Sequence, residues 1–561
     1  MSALKTGADT IVIGNVLTMN DGQAAAEAVA ISAGKVIAVG SRQAILETRT
    51  AATRVHDFGK ATVIPGFNDS HAHMDGVGLK FIRPPMEGLK SIADVLARIR
   101  QLAATTPKGE WIVTMPLGTQ PYYFDALEGL AEKRVPTRQE LDSAAPDHPV
   151  YISSPNGFWG HPPSHSAMNS LALQRNGVTR DTKPESPHIT IVKDASGEPT
   201  GQFIEYSYVS VIDADIFPAV PRFTYEDRRD AVVRAMKLYH AAGTTSVYEG
   251  HGFGPEVLSA CREVWERGDM TMRMSIVVSP AWRTPEEADQ VMRDWMPLLR
   301  GRGTGDAYFN VSGVFISYGG ESCVTHIQHK DVSNVGWSGL VQQTNTPENF
   351  EALCMLAGKH NIRANVIISD KLHEIAPIMQ RVARHFPLAE RRWVMQHVSR
   401  SNAANLQVLK ELGMPVTLIP PHYLWKAGVR FLDLDNEAMD YLSPAKQLHE
   451  MGVHVSAATD AVPYNPLFCM WAMTARRERT TNRLMGEGGL VSNEVALRLL
   501  TRAGAYLTFE ESVKGQLAPG FYADLAVLSG NPLETTGLAL TDLQCKATMV
   551  GGRWVHGESQ P

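Results

Sequence analysis

The stretch Val63-Ile64-Pro65-Gly66-Phe67-Asn68-Asp69-Ser70-His71-Ala72-His73 decides how this chain is interpreted. A short apolar run meets a Pro-Gly break, and an acid and two histidines follow. Side chains two residues apart on a strand point to the same side, so His71 and His73 can present two imidazoles to one cation. Two of the 19 histidines could be neighbours by chance. The flanking Pro-Gly and Asp-Ser favour a metal site instead.

Length and composition narrow the class of protein. A chain of 561 residues is too long for a single simple core, so we expect one large domain and a smaller one. Hydrophobic residues make up 44% of the chain, which is enough for a large interior. The net charge is −6, and the sequence contains no block of like charges. We therefore expect neither a nucleic acid nor a membrane as a partner. The five cysteines are scattered without a Cys-x-x-Cys pair, and no signal-peptide layout or membrane-length apolar run is present. We therefore expect a cytoplasmic protein that acts on a small-molecule substrate.

Both ends of the chain have the pattern of short β-strands separated by Gly and Asn. Apolar runs at residues 10–18, 28–32 and 35–39 are matched near the C-terminus by runs at 523–528 and 547–555. If these runs pair, the two ends form one small sheet domain, which we place at residues 1–62 and 515–561.

The middle of the chain alternates strand-like and helix-like segments, the pattern of βα units around a parallel sheet. Eight apolar runs lie at residues 61–64, 244–248, 274–278, 311–316, 364–368, 393–396, 415–419 and 454–458. Eight units close a (β/α)8 TIM barrel, whose active site lies at the C-terminal ends of the strands. We place this α/β barrel at residues 63–514, with a long insertion at about 76–240 after barrel strand 1.

Aromatic residues are frequent in the insertion and include Tyr122, Tyr123, Phe124, Phe158 and Trp159. They could wall a substrate pocket, but a core of the insertion's own is the simpler interpretation.

Several ordered motifs resemble the amidohydrolase superfamily of metal-dependent hydrolases, and within it the YtcJ-like or N-substituted-formamide-deformylase-like branch. They are residues 65–73, 164–173, 243–247, 395–397, 458–460 and 514–524, the last being Lys-Gly-Gln-Leu-Ala-Pro-Gly-Phe-Tyr-Ala-Asp. The resemblance covers nearly the whole chain. It implies that the two chain ends form a β-sandwich.

The resemblance also implies site residues. His71, His73 and Asp460 would bind a divalent metal, and His397 would either ligate it or face the substrate. Neutral imidazoles and a carboxylate suit Zn²⁺, and Asp460 would accept the proton of a metal-activated water. Other interpretations are that Asp460 caps a helix and that His397 is a hydrogen-bonded core residue.

The sequence departs from the family pattern at two positions. Family members with two metals carry a carboxylated lysine on strand four, where this chain has Phe315, and a histidine on strand five, where counting back from Asp370 gives Val366. Because neither side chain donates a lone pair, we expect a single metal ion per chain. Glu249 and His251 follow strand two and could replace the missing ligands or contact the substrate, and Phe315 and Val366 would make the pocket drier.

These features predict a zinc-dependent hydrolase of a carbon-nitrogen bond, amide or formamide-like, in a small, fairly apolar molecule. The substrate class comes from the resemblance alone. A lyase, a decarboxylase, or a C–C or ester hydrolase on the same scaffold is the main alternative, and a binding protein without catalysis is a third. Related barrels often pair, so the resemblance leaves a homodimer open.

Overall fold

A computed structural model describes residues 7–155, 159–320, 322–327, 329–330, 339, 341 and 343–557. Phe158 of the insertion lies outside the described residues. The strands, numbered in chain order, are β1 (Ala8–Asn20), β2 (Gln23–Ser32), β3 (Lys35–Gly40), β4 (Arg49–Pro65), β5 (Phe67–Asp69), β6 (Ile112–Thr114), β7 (Val150–Ile152), β8 (Ser164–Met168), β9 (Ile189–Lys193), β10 (Pro199–Glu205), β11 (Thr244–Phe253), β12 (Arg273–Val278), β13 (Thr304–Gly305), β14 (Phe309–Ile316), β15 (Ala364–Ile367), β16 (Val394–Gln396), β17 (Val416–Leu418), β18 (Val455–Ala457), β19 (Leu525–Leu528), β20 (Cys545–Val550) and β21 (Arg553–His556).

The α-helices are α1 (Arg42–Leu46), α2 (Met74–Leu79), α3 (Ile92–Thr105), α4 (Arg138–Ala144), α5 (Ser170–Arg175), α6 (Ile212–Ile216), α7 (Tyr225–Ala241), α8 (Pro255–Glu266), α9 (Pro285–Asp294), α10 (Ser322–Ile327), α11 (Pro347–Lys359), α12 (Leu372–Ala383), α13 (Ala403–Leu412), α14 (Asn436–Asp440), α15 (Ala445–Glu450), α16 (Pro466–Ala475), α17 (Asn493–Leu500), α18 (Arg502–Leu507) and α19 (Ala539–Asp542). Short 3-10 turns cover Met296–Leu299, Gly428–Phe431 and Glu487–Gly489, and a π-helix covers Pro421–Lys426. No α-helix in the described ranges is long and apolar enough to cross a membrane.

The two chain ends share one seven-stranded sheet in the order β21-β20-β19-β4-β1-β2-β3. Val63 of β4 lies opposite Val527 of β19 on one side and Val16 of β1 on the other. Residues 61–64, predicted to be the first barrel strand, therefore belong to this terminal sheet. Their run of buried apolar residues suits a central strand of either sheet, and the Pro65-Gly66 break marks the point where the chain leaves one sheet for the other.

The barrel consists of eight parallel strands in the order β5-β11-β12-β14-β15-β16-β17-β18, and the short β13 pairs with β14. The seven strands from β11 onward coincide with the predicted runs, and the first barrel strand is Phe67–Asp69. The ring is completed beyond β5 and β18, where the Asp460 N–H donates to the His71 carbonyl over 3.0 Å. The Asp69 carboxylate accepts the Thr459 N–H at 3.0 Å and also the Thr459 hydroxyl proton. The first and last strands are thereby held together directly below the histidine pair.

The insertion between β5 and β11 contains its own five-stranded sheet, in the order β6-β7-β8-β10-β9. Its helices and strands enclose two apolar clusters, of which Ile99, Leu141, Phe203 and Phe217 are members. Helix α2 packs so closely on α7 that a Cβ atom on Gly78 would lie 1.9 Å from the Ala231 carbonyl oxygen. This approach holds the two ends of the insertion together.

Part of the insertion reaches the loops above the barrel. The ring of Tyr122 stacks on that of Phe124 with 5.0 Å between centroids, and it also lies 5.1 Å from the Trp425 ring. Trp425 follows β17, so these aromatic residues join the insertion to the strand-seven loop. By contrast, Tyr123 and Trp159 lie in a small buried cluster beside α2.

Candidate metal centre

The loop after β5 sets the geometry of the candidate site. The buried Asp69 carboxylate holds the loop on Thr459, and burial raises the pKa of Asp69 to about 6. His71 and His73 follow and are both buried. Two further residues of the site, His397 and Asp460, adopt φ values of 59° and 56° just after β16 and β18. Left-handed backbone is uncommon outside glycine and often occurs at functional sites, and here it turns both side chains toward the first strand.

Four histidines and one aspartate converge at the C-terminal end of the barrel. The Nε2 atoms of His71 and His397 are 2.9 Å apart, and His73 Nε2 lies 3.0 Å from Asp460 Oδ1. The ligand atoms of His71, His73 and His251 lie within 4.8 Å of one another, as do those of His71, His397 and Asp460. The two groups share His71, so both lie around the same imidazole. Asp460 does not cap a helix, since α16 begins later and is capped by Asn465.

The chemistry of these groups fits a divalent cation. Burial lowers the pKa of His71, His251 and His397 well below the ordinary histidine value, and the neighbouring imidazoles lower it further. These rings are neutral, which leaves lone pairs for a metal. Burial also opposes protonation of His73, but the hydrogen bond to Asp460 and its charge leave the pKa of His73 raised. In the described part of the chain, Asp460 Oδ2 and His251 Nδ1 have no hydrogen-bond partner. A bound cation would give these buried polar atoms a partner, because each can donate an electron pair to it.

The structure corrects the prediction for Glu249. Side chains alternate along β11, so Tyr248 faces the barrel interior and Glu249 faces the helix layer. There Glu249 Oε1 accepts the Met74 N–H at 2.9 Å, and burial with the nearby Asp75 charge raises the pKa of Glu249. Neither donor group includes Glu249. A register shift then interrupts β11 before Phe253, and His251 returns to the interior.

The structure also corrects the prediction for Val366. Val366 packs in the large cluster between the barrel and its helices, whereas its neighbour Ile367 lines the cleft above the histidines. Counting back from Asp370 gave the wrong side of the strand by one residue. Phe315 does face the interior, and its ring lies 5.2 Å from that of His251. Apolar side chains therefore face the cleft from strands four and five, as predicted. On strand five that side chain is Ile367 and not Val366.

Sequence reasoning missed two residues of the π-helix after β17. His422 Nδ1 lies 3.6 Å from Asp460 Oδ2, and the Tyr423 hydroxyl lies 3.3 Å from His397 Nδ1 and 3.1 Å from the Ser369 hydroxyl. Burial lowers the pKa of His422 to about 3, so this imidazole is neutral. A usable signal existed for His422, since it follows the predicted strand at 415–419 by three residues. Single-turn π-helices are frequent at functional sites but have no clear sequence signature.

A cleft of about 560 Å³ opens above the histidines. His251, His397, His422 and Tyr423 form part of its inner wall, while Tyr208, Tyr318 and Phe431 lie around it. Its size suits a small molecule, and its mixture of aromatic and polar walls is typical of a ligand site.

Tyr423→Phe is expected to weaken divalent metal binding by about 10–100-fold. This effect follows where His397 is a ligand through Nε2, because its proton then lies on Nδ1 and Tyr423 provides the oxygen that accepts it. Affinity is measured by competition for Zn²⁺ with a chromophoric chelator. Tyr318→Phe is the matched control, because it removes a cleft hydroxyl whose hydrogen-bond partner among the described residues is Glu374, at 2.7 Å. Equal affinities for the two variants would contradict the role given to Tyr423.

A parallel barrel with these donors at its C-terminal mouth has the architecture of a metal-dependent hydrolase. A family model described as the amidohydrolase family matches residues 54–556, and the chain belongs to that family. The resemblance inferred from the motifs is thereby confirmed.

Two curated relatives align over nearly their full length. An N-substituted formamide deformylase from Arthrobacter pascens is 24% identical, with 97% of each chain covered. The putative amidohydrolase YtcJ from Bacillus subtilis (strain 168) is also 24% identical, over 97% of this chain and 99% of its own. Among solved structures, an uncharacterized metal-dependent hydrolase from Pyrococcus furiosus has a TM-score of 0.66 at 20% identity and covers 94% of this chain and 100% of its own. The structural likeness supports the barrel fold.

Proposed function

We propose that this protein hydrolyses a carbon-nitrogen bond, amide or formamide-like, in a small, fairly apolar molecule, using one Zn²⁺ ion per chain. The observation that carries the proposal is the convergence of four histidines and one aspartate, of which His251 and His397 line the cleft; the five residues are His71, His73, His251, His397 and Asp460. Neutral imidazoles with one carboxylate are typical zinc donors. The deformylase relative acts on a bond of this kind, and that likeness supports the substrate class.

The residues of the site would have three roles, which are to hold the metal ion, to transfer a proton and to line the cleft. His71, His73, His251 and Asp460 would hold the ion, with His397 either as a further ligand or directed at the substrate. When bound, the ion supplies Lewis-acid chemistry, which polarises a carbonyl group and makes a water more acidic. Among the described residues Asp460 Oδ2 has no hydrogen-bond partner, so it could accept a proton and return it to the leaving amine. Phe315 and Ile367 keep the inner end of the cleft apolar.

The test is a panel of small amides and formamides, with matched esters, incubated with zinc-loaded protein in ¹⁸O-labelled water. We expect release of the amine and one ¹⁸O atom in the acid product. Cleavage without ¹⁸O incorporation would contradict hydrolysis and support a lyase or decarboxylase on the same scaffold. Preference for the esters would contradict the carbon-nitrogen assignment while leaving the metal centre intact.

A further inference from the structure

Arg430 is a charged residue of the cleft with no role in the proposed chemistry. It belongs to the 3-10 turn Gly428–Phe431, directly after the π-helix that carries His422 and Tyr423. Its side chain is exposed and lines the same cleft as His397 and His422. The guanidinium and the candidate metal centre therefore belong to one site.

The Arg430 guanidinium has no hydrogen-bond or ion-pair partner among the described residues. No carboxylate there lies within 4.0 Å of it, and its recorded neighbours are the rings of Tyr208 and Phe431, whose centroids are 5.9 and 5.8 Å away. By contrast, Lys371, the other cation lining the cleft, pairs with Glu374 at 2.9 Å. Arg430 thus presents an uncompensated positive charge to the cleft, between aromatic neighbours.

The two sides of the cleft differ in charge. Asp370 follows β15 and lines the cleft from the strand-five side, while Arg430 lines it from the strand-seven side. Lys426 lies fully buried behind the same wall, 5.9 Å from the Tyr208 ring, and burial lowers its pKa to about 7, so the positive charge on this side of the cleft is that of Arg430. An anionic group is therefore attracted to the strand-seven side and repelled from the strand-five side.

We propose that the substrate carries a carboxylate and that Arg430 binds it while the scissile C–N bond lies against the histidine cluster. This inference rests on the proposed function and specifies its substrate class as an N-acyl or N-formyl amine with an acidic group. Arginine suits this task because its planar donors match a carboxylate with two parallel hydrogen bonds. The apolar and aromatic walls would contact the rest of the molecule.

The test uses two probes that differ only in charge, N-formylphenylalanine and N-formylphenylalaninamide, each as both enantiomers, with zinc-loaded protein. We expect kcat/KM for the carboxylate to exceed that for the carboxamide by about tenfold or more, the effect of one charge-assisted contact. Arg430→Gln is expected to reduce this ratio to about one. Arg100→Gln removes a charge on the exposed side of α3, outside the cleft, and should keep the wild-type ratio.

Cleavage of both probes at equal rates, or an unchanged ratio in Arg430→Gln, would overturn the inference and leave the proposed function standing. If neither probe is cleaved, calorimetric binding of the same pair to the zinc-loaded protein decides. Tighter binding of the carboxylate that disappears in Arg430→Gln supports the inference, and equal binding overturns it. The absence of cleavage would count separately, against the proposed reaction.

Discussion

Asp460→Asn is expected to lower kcat by about 10³-fold or more and to reduce the bound metal. The substitution keeps the size of the side chain but removes the negative charge that faces His73 at 3.0 Å and His71 at 3.7 Å. It also removes the group that accepts and returns a proton, and such groups contribute about 10²–10⁴-fold on their own. Steady-state kinetics on any substrate found in the amide panel, together with metal analysis, measure both effects.

The matched control for Asp460→Asn is Asp433→Asn, which changes an exposed aspartate outside the cleft. It should retain wild-type kinetics and metal content. Asp460→Asn protein that kept both its metal and its rate would contradict the assignment of Asp460. Loss of rate with full metal content would separate the proton-transfer role from the ligand role.

Asp524→Ala is expected to lower the free energy of unfolding by about 3–5 kcal/mol. The Asp524 carboxylate binds the Arg273 guanidinium through two hydrogen bonds, at 2.6 and 3.0 Å, and both side chains are buried. This pair joins the terminal sheet to the start of β12, and the Tyr522 ring lies 3.9 Å from the guanidinium. Removing one partner leaves a buried charge without compensation, which is the costly case.

Chemical denaturation measures this loss, with Asp57→Ala as the control. Asp57 pairs with Arg42 at 2.8 Å on the surface, where ion pairs contribute little. The double change Arg273→Met with Asp524→Leu should recover much of the stability, because it removes both charges and restores apolar packing. Equal losses in the free energy of unfolding for Asp524→Ala and Asp57→Ala would show that the buried pair does not hold the terminal sheet on the barrel.

Much of the fold could be predicted because its strands are buried on both faces. Apolar runs such as residues 274–278 and 454–458 stand out between helical segments, and their number indicates a barrel. The same property explains the error at residues 61–64. A central strand of the terminal sheet is as apolar as a barrel strand, and only its pairing with β1 and β19 distinguishes the two.

Local backbone geometry explains which site residues the sequence did not identify. His71 and His73 could be located from their spacing after an apolar run, and His397 and Asp460 from the motifs that resemble the amidohydrolase family. Glu249 and His251 could not be separated, because a register shift in β11 changes the alternation between them. Tyr423 contacts His397 only because the chain forms a π-helix after β17.

The central claim is a single metal centre built from His71, His73, His251 and Asp460, with His397 beside it. The most direct test is elemental analysis of metal per chain in protein purified without added metal, for the wild type and for His71→Ala. We predict close to one zinc ion per chain in the wild type and a large loss in His71→Ala, since His71 belongs to both donor groups. Two ions per chain, or one ion retained in His71→Ala, would contradict the account.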